Sequence, residues 1–220
     1  MIVAWSGGKD SAWALARLRA DPSIEVLALF TTVRADDERV VMHGTSRALL
    51  HAQADALGLP LWEAALPNPC PNEVYEASMA AVVDRARSVG ADAFAFGDLF
   101  LEDIRAYRER MLAGTGLRAL FPLWGEATGP LASAMIDGGL RALLVAVDPS
   151  RLAPDFLGRG FDRELLAELP EGVDPCGERG EFHTLVIDGP GFRGPLAVAT
   201  DGVVHHGGHA YADVRLIDGG

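Results

Sequence analysis

The sequence predicts an α/β protein, a parallel sheet flanked by helices and followed by a smaller α+β part, and three observations predict it. Strand-length apolar runs alternate with helix-length stretches of 3.6-residue periodicity through the first half of the chain, the pattern of βαβ units. Two of those apolar runs end in glycine turns, Ser6-Gly7-Gly8 and Gly97-Asp98, and ligands of open α/β sheets bind beyond the carboxyl ends of strands. From residue 178 onward the text is strand-like and punctuated by Gly and Pro, which points to an antiparallel component.

The elements follow in order. Residues 1–5 are a short apolar run entering the first turn, and 10–19 carry Trp13, Ala14, Leu15 and Leu18 at helical spacing. Residues 24–33 are β-rich. Residues 45–57 are helical until Gly58-Leu59-Pro60 stops them, with Thr45 as a candidate N-cap. A strand is expected at 61–65, a helix at 72–89 stopped by Gly90, and a buried strand at 91–96. Then come a helix at 102–113, a strand at 117–121, a helix at 130–137, a strand at 142–147 and a short helix at 164–169. Strands at 182–187, 196–204 and 210–217 close the chain. The domain division expected is 1–121 and 122–220, packed tightly with a cleft between the halves.

Composition excludes several classes. With 49% hydrophobic and 23% charged residues, the 220-residue chain is neither disordered nor collagen-like. The most apolar stretch, 131–147, is broken by Asp137 and Arg141, so no membrane span is expected. A net charge of −12 argues against a broad nucleic-acid face, which needs Lys and Arg to neutralise phosphates. Cys70 and Cys176 form neither a disulfide framework nor a zinc cluster, and His205, His206 and His209 lack a partner at ligand spacing. The thiols and the absence of a basic leader before the first strand suggest a reducing, cytoplasmic location.

One feature of the composition points to chemistry. Among 19 basic residues only Lys9 is a lysine, and it sits in Ser6-Gly7-Gly8-Lys9-Asp10-Ser11, between a strand and a helix. Two glycines let the backbone turn tightly and approach an anion. Amides at the helix start point at that anion, Ser6 and Ser11 add hydroxyl donors, and Lys9 adds a compact charge facing the ligand rather than the core. The string is neither the Walker A loop nor the dinucleotide fingerprint. An acidic protein can hold a polyphosphate this way without a basic surface.

The loop resembles the pyrophosphate loop of the N-type ATP pyrophosphatases. Gly97-Asp98-Leu99, Pro122-Leu123-Trp124-Gly125, Phe156-Leu157-Gly158-Arg159, the run from Gly177 through Glu178, Glu181, His183 and Thr184 to Val186, and Asp188-Gly189-Pro190 resemble, as an ordered set, the diphthine–ammonia ligase family within them. The resemblance implies a HUP-type, Rossmann-like N-terminal ATP domain and a C-terminal substrate domain. It implies ATP and Mg²⁺, with AMP and pyrophosphate as products, and ammonia displacing AMP from an acyl-adenylate of a small-molecule or protein-borne carboxylate. Residues 100–105, His183-Thr184, and Pro69-Cys70-Pro71-Asn72-Glu73 with Tyr75-Glu76 depart from the diphthamide-making branch and resemble a mainly bacterial one linked to corrinoid metabolism. The acid is therefore left open. An RNA thiolase and a non-catalytic nucleotide sensor remain alternatives, and a second copy of the chain is a candidate partner.

The site residues expected are Ser6, Gly7, Gly8, Lys9, Asp10, Ser11, His43, Gly97 and Asp98 for ATP, and Asp10 for Mg²⁺. Glu178, Glu181 and His183 are the candidate catalytic residues, the two carboxylates facing the ATP cleft to attract ammonium and accept its proton. Glu102, Asp103, Arg105 and Arg108 are candidates for a polar substrate wall.

Overall fold

The computed structural model describes residues 1–35 and 45–217. In the first half β1 (Ile2–Ala4), α1 (Lys9–Arg19), β2 (Ala28–Arg34), α2 (Arg47–Leu57), β3 (Leu61–Leu66), α3 (Asn72–Ser88), β4 (Ala93–Ala95), α4 (Glu102–Leu112) and β5 (Arg118–Leu120) alternate as the periodicity predicts. They are followed by α5 (Thr128–Asp137), β6 (Arg141–Val147), a single 3-10 turn (Pro154–Phe156), α6 (Arg163–Glu168), β7 (Phe182–Asp188), β8 (Val198–His206) and β9 (His209–Leu216). The β-rich stretch expected from residue 24 enters the sheet only at Ala28, and the 3-10 turn was not foreseen. The cap of α2 is one residue later than Thr45: the Ser46 hydroxyl accepts a hydrogen bond from the Leu49 N–H, and Gly58 ends the helix in the left-handed region at φ 66°.

The first sheet is wholly parallel with order β3-β2-β1-β4-β5. Strand addition reverses direction beside β1, so the carboxyl ends of β1 and β4 frame the crevice where such sheets take their ligands. Alternate side chains of a strand point to opposite faces, and the core divides accordingly. Val3 and Leu29, paired in register, face α1 and α2 with Leu15 and Leu50. Ile2, Phe30 and Phe94 face α3 and α4 through Met79, Val83 and Leu112.

The second sheet is antiparallel, with order β7-β6-β9-β8. Its apolar residues Leu144 and Phe182 join the α1 and α2 side of the first core together with Leu131 of α5 and Phe161. The protein is thus an α/β, Rossmann-like parallel sheet with a smaller antiparallel sheet packed against the helices that follow its first two strands. That packing brings β7 against the loop after β1, and the Val186 N–H donates to the Gly7 carbonyl at 2.9 Å. No helix among the described residues is long and apolar enough to cross a membrane.

Candidate active site

The loop after β1 is held from three directions. Gly7 adopts φ 80°, and a Cβ there would lie 2.9 Å from Gln53 Oε1 and Leu50 Cδ2, so position 7 requires glycine for both conformation and space. The fully buried Gln53 of α2 donates to the carbonyls of Gly7 at 2.9 Å and Val186 at 2.7 Å, and accepts from Trp5 Nε1 at 2.9 Å. Thr184 Oγ1 of β7 accepts the Lys9 backbone N–H at 3.0 Å. At the end of β4, a Cβ on Gly97 would lie 2.9 Å from the Asp10 carbonyl carbon and the Ser11 nitrogen. That strand end can therefore lie alongside the start of α1 only without a side chain. Within the loop, Ser6 Oγ accepts from the Gly8 N–H at 3.3 Å, and Ser11 Oγ donates to the Gly8 carbonyl at 2.9 Å.

Lys9 is only 2% exposed. Its ammonium donates to the Cys176 carbonyl and to Asp10 Oδ2, the latter at 2.8 Å, and lies 5.5 Å from the Phe182 ring centroid and 5.7 Å from that of Phe161. An ammonium has three donors, so one is left for the cavity that Lys9 lines. The expectation that Lys9 occupies no core volume is thus corrected: its stem is enclosed, and only its tip serves a ligand. Burial works against its charge, but the Asp10 carboxylate together with Cys176 and Glu178 outweighs this and raises the ammonium above its ordinary value.

A cavity of about 210 Å³ opens over the loop. Ser6, Gly8, Lys9, Asp10 and Ser11 line it from below, Gly97 and Asp98 from the end of β4, and Glu178, His183 and Thr184 from the C-terminal half. Asp10 Oδ1 and Asp98 Oδ2 are buried there without a hydrogen-bond partner among the described residues. Burial raises both carboxyls, against the pull of Lys9 on Asp10 and of Arg108 on Asp98. Glu178 accepts the Leu99 N–H at 2.8 Å, and burial, reinforced by Asp10, pushes its carboxyl up to about 7 against that hydrogen bond.

A second cavity, of about 190 Å³, adjoins the first on the other face of the sheet. Phe30, Phe94, Phe96, Tyr75 and Met79 give it apolar walls beside the end of β1. Among the described residues, Ser6 and Arg108 line both cavities.

Glu181 takes a different place from the one expected. Its carboxylate is 1% exposed, does not line the loop cavity, and accepts the backbone N–H groups of Asp174 at 3.2 Å and Arg179 at 3.0 Å. Arg151 lies 3.7 Å away. A carboxylate at that position is satisfied by the turn it folds. The substrate wall also divides: Arg108 reaches the cavities, whereas Arg105 stacks on Trp124 and Phe121 and pairs with Glu109 at 2.8 Å. Glu102 and Asp103 are exposed in the first turn of α4. His43 falls outside the described residues.

Gln53 and Asp174 were not singled out from the sequence. Asp174 is buried and accepts from the Cys176 N–H at 2.8 Å, the Glu178 N–H at 3.3 Å and the Thr128 hydroxyl at 2.8 Å, shaping the turn that presents Glu178. For Gln53 a signal existed: it lies on the face of α2 defined by Leu49, Leu50, Ala54 and Leu57, where a polar residue needs partners.

Comparison with known proteins agrees with this architecture. Residues 1–119 match the family model of the diphthamide synthase N-terminal domain, and residues 128–217 that of the diphthamide synthase C-terminal domain. A protein of Danio rerio named diphthine–ammonia ligase is 29% identical over 232 residues, covering 96% of this chain and 91% of its own length. Proteins of the same name from Rattus norvegicus and Homo sapiens are 27% and 26% identical, each covering 96% of this chain and 87% of their own. With both domain models matched in order around one loop cavity, the chain belongs to the diphthamide synthase family of ligases.

Proposed function

We propose that the protein is an ATP-dependent ligase that turns a carboxylate into an amide and releases AMP and pyrophosphate. The observation that supports this reading most is the loop cavity, where a buried cation, a glycine turn and the start of a helix line one anion-sized space. The triphosphate of ATP would lie there and its adenosine in the apolar cavity beside β1. In this reading residues 1–121 form the ATP domain and 122–220 the domain that closes the loop cavity over the reacting groups.

The reaction has two steps. A carboxylate oxygen attacks the α-phosphorus, the bond to the bridging oxygen breaks, and pyrophosphate leaves with that electron pair. Ammonia then attacks the acyl carbon and AMP leaves. Ammonium must lose a proton before it can attack, and Glu178, with its carboxyl near 7 and exposed to the cavity, is suited to attract the cation and accept that proton. Ser6 and the third donor of Lys9 would bind phosphate oxygens, and Ser11 would do so on turning its hydroxyl away from the Gly8 carbonyl. The acyl-adenylate must be kept from water, which a cavity walled by both halves of the chain serves.

The residues also fit Mg²⁺. Among the described residues no three His, Cys, Asp or Glu side chains form a metal site, but Mg²⁺ with a nucleotide takes one or two carboxylates plus phosphate oxygens. Asp10 and Asp98, each with a buried oxygen lacking a hydrogen-bond partner, would supply them. Bound Mg²⁺ would neutralise charge on the phosphates. Sulfur transfer is disfavoured at Cys176, whose thiol burial pushes up to about 12, so that it is not a thiolate at neutral pH.

The test is release of pyrophosphate from Mg·ATP on addition of ammonium and a small-molecule cell extract. Release that requires both additions supports the ligase. Tight ATP binding with no release in any extract fraction or with the acidic proteins of the cell would favour a nucleotide sensor.

A further inference from the structure

A third cavity, of about 490 Å³, opens at the carboxyl ends of β2 and β3. Thr32, Arg34, Asn68, Cys70, Tyr107 and Arg108 are among its walls. Neither the phosphates nor the adenosine of the reading above fill it. It meets the apolar cavity at Thr32, Tyr75 and Arg108, and meets the loop cavity at Arg108 alone. Arg108 is thus the one described side chain shared by all three.

That junction has a chemical meaning. If adenosine lies in the apolar cavity and the polyphosphate over the loop, the α-phosphate lies where the two meet, beside Ser6 and Arg108. An acid that attacks the α-phosphorus must reach the same point. The third cavity opens onto it, and through the same guanidinium.

Arg108 is built for the task. It projects from α4 with its guanidinium carbon 5.0 Å from the Phe96 ring centroid, and its Nε lies 3.7 Å from Asp98 Oδ2. Its Nε–H has no hydrogen-bond partner among the described residues. Phe96 and Asp98 therefore hold the guanidinium in place, and a planar guanidinium can face two anionic oxygens at once.

We propose that the third cavity is the binding site of the carboxylic acid and that Arg108 is a catalytic residue bridging the acid's carboxylate and the α-phosphate. The proposal rests on the acyl-adenylate reading. Arg108 offsets the repulsion between two anions as the carboxylate oxygen bonds to phosphorus, and it continues to hold the phosphate as pyrophosphate leaves. The positive charge of Arg108 at the mouth of this cavity suits the carboxylate end of the acid.

The experiment uses an analogue of the adenylate. The probe is 5′-O-(N-benzoylsulfamoyl)adenosine, whose acyl sulfamate mimics the acyl phosphate and whose ring would enter the third cavity, with adenosine as the reference ligand in calorimetry. Arg108→Gln should weaken the probe by about tenfold or more, the loss typical of one charged hydrogen-bonding partner, and weaken adenosine, whose cavity it also lines, much less. A cooperative thermal melt like that of the wild type shows that the variant is folded. Cys70→Trp, which fills the third cavity away from the nucleotide, should weaken the probe and spare both adenosine and Mg·ATP. Wild-type affinity for the probe in both variants would overturn the proposal while leaving the ligase reading intact. Failure of the wild-type protein to bind adenosine, Mg·ATP and the probe would instead overturn the ligase reading on which it rests.

Discussion

The hydroxyl of Thr184 in β7 accepts the backbone N–H of Lys9 at 3.0 Å, joining residues 175 positions apart in sequence. The bond ties the first turn of α1 to the second sheet and makes the glycine loop and the 177–186 segment two walls of one site. It also explains why position 184 needs a β-branched residue with an oxygen: the methyl suits the strand and the hydroxyl satisfies a buried donor. Thr184→Val keeps the shape and removes only that acceptor. It should lower stability by about 1–3 kcal/mol, the cost of leaving a buried N–H unpaired, and weaken ATP binding. Chemical denaturation and calorimetry of the same variant check both effects.

Lys9 should show two separable roles. Lys9→Met keeps most of the buried stem between Phe161 and Phe182 and removes the charge, so ATP binding should fall sharply with a smaller change in melting temperature. Lys9→Ala should cost about 2 kcal/mol more in stability, because a cavity replaces the stem. Arg should not rescue binding, since the enclosed site has no room for a planar guanidinium. Equal stability of the Met and Ala variants in urea would contradict the enclosed placement of Lys9.

The two glutamates of the 177–186 segment should separate as well. Glu178→Gln should preserve ATP binding and slow amide formation. Glu181→Gln removes one of the two acceptor oxygens that hold the Asp174 and Arg179 amides, so its first effect should be lower stability, with activity lost in proportion to the loosened turn. Thermal melts beside single-turnover amidation distinguish the pair.

The carboxyl of Glu178, raised to about 7 by burial, gives a pH signature. As a base it works only when ionised, so kcat/KM for amidation should rise as pH increases through about 7, and Glu178→Gln should flatten that limb. Stability runs the other way. A carboxyl held above its ordinary value in the folded protein adds stability below about pH 4. That contribution fades as pH rises through about 7, so the ligand-free protein should lose it across this window and Glu178→Gln should not. Denaturation midpoints against pH test this.

Most of the fold was legible because its signals are local. Alternating apolar periods placed every strand and helix, and the loop announced itself through two glycines and a solitary lysine. What stayed hidden depends on tertiary contact. Glu178 and Glu181 are three residues apart in one acidic turn, and nothing local separates the one that faces a cavity from the one that caps amides. Lys9 looked like a ligand group alone because the rings that enclose it, Phe161 and Phe182, lie more than 150 residues away in the chain. Gln53 could have been found as a polar residue on an apolar helix face, but its partners lie in the loop after β1 and in β7, far from it in the chain. Arg108 looked like one of several charges on an exposed helix, and only the meeting of three cavities sets it apart.

The central claim is that ATP is cleaved between its α and β phosphates as the acid is activated. The measurement that tests it most directly is chromatography of the nucleotides formed from Mg·ATP, ammonium and the acid-containing extract fraction that supports turnover. AMP and pyrophosphate should appear in equal amounts, with no ADP, and Lys9→Met should abolish both. Stoichiometric ADP and phosphate would mean an acyl-phosphate route and would contradict the account.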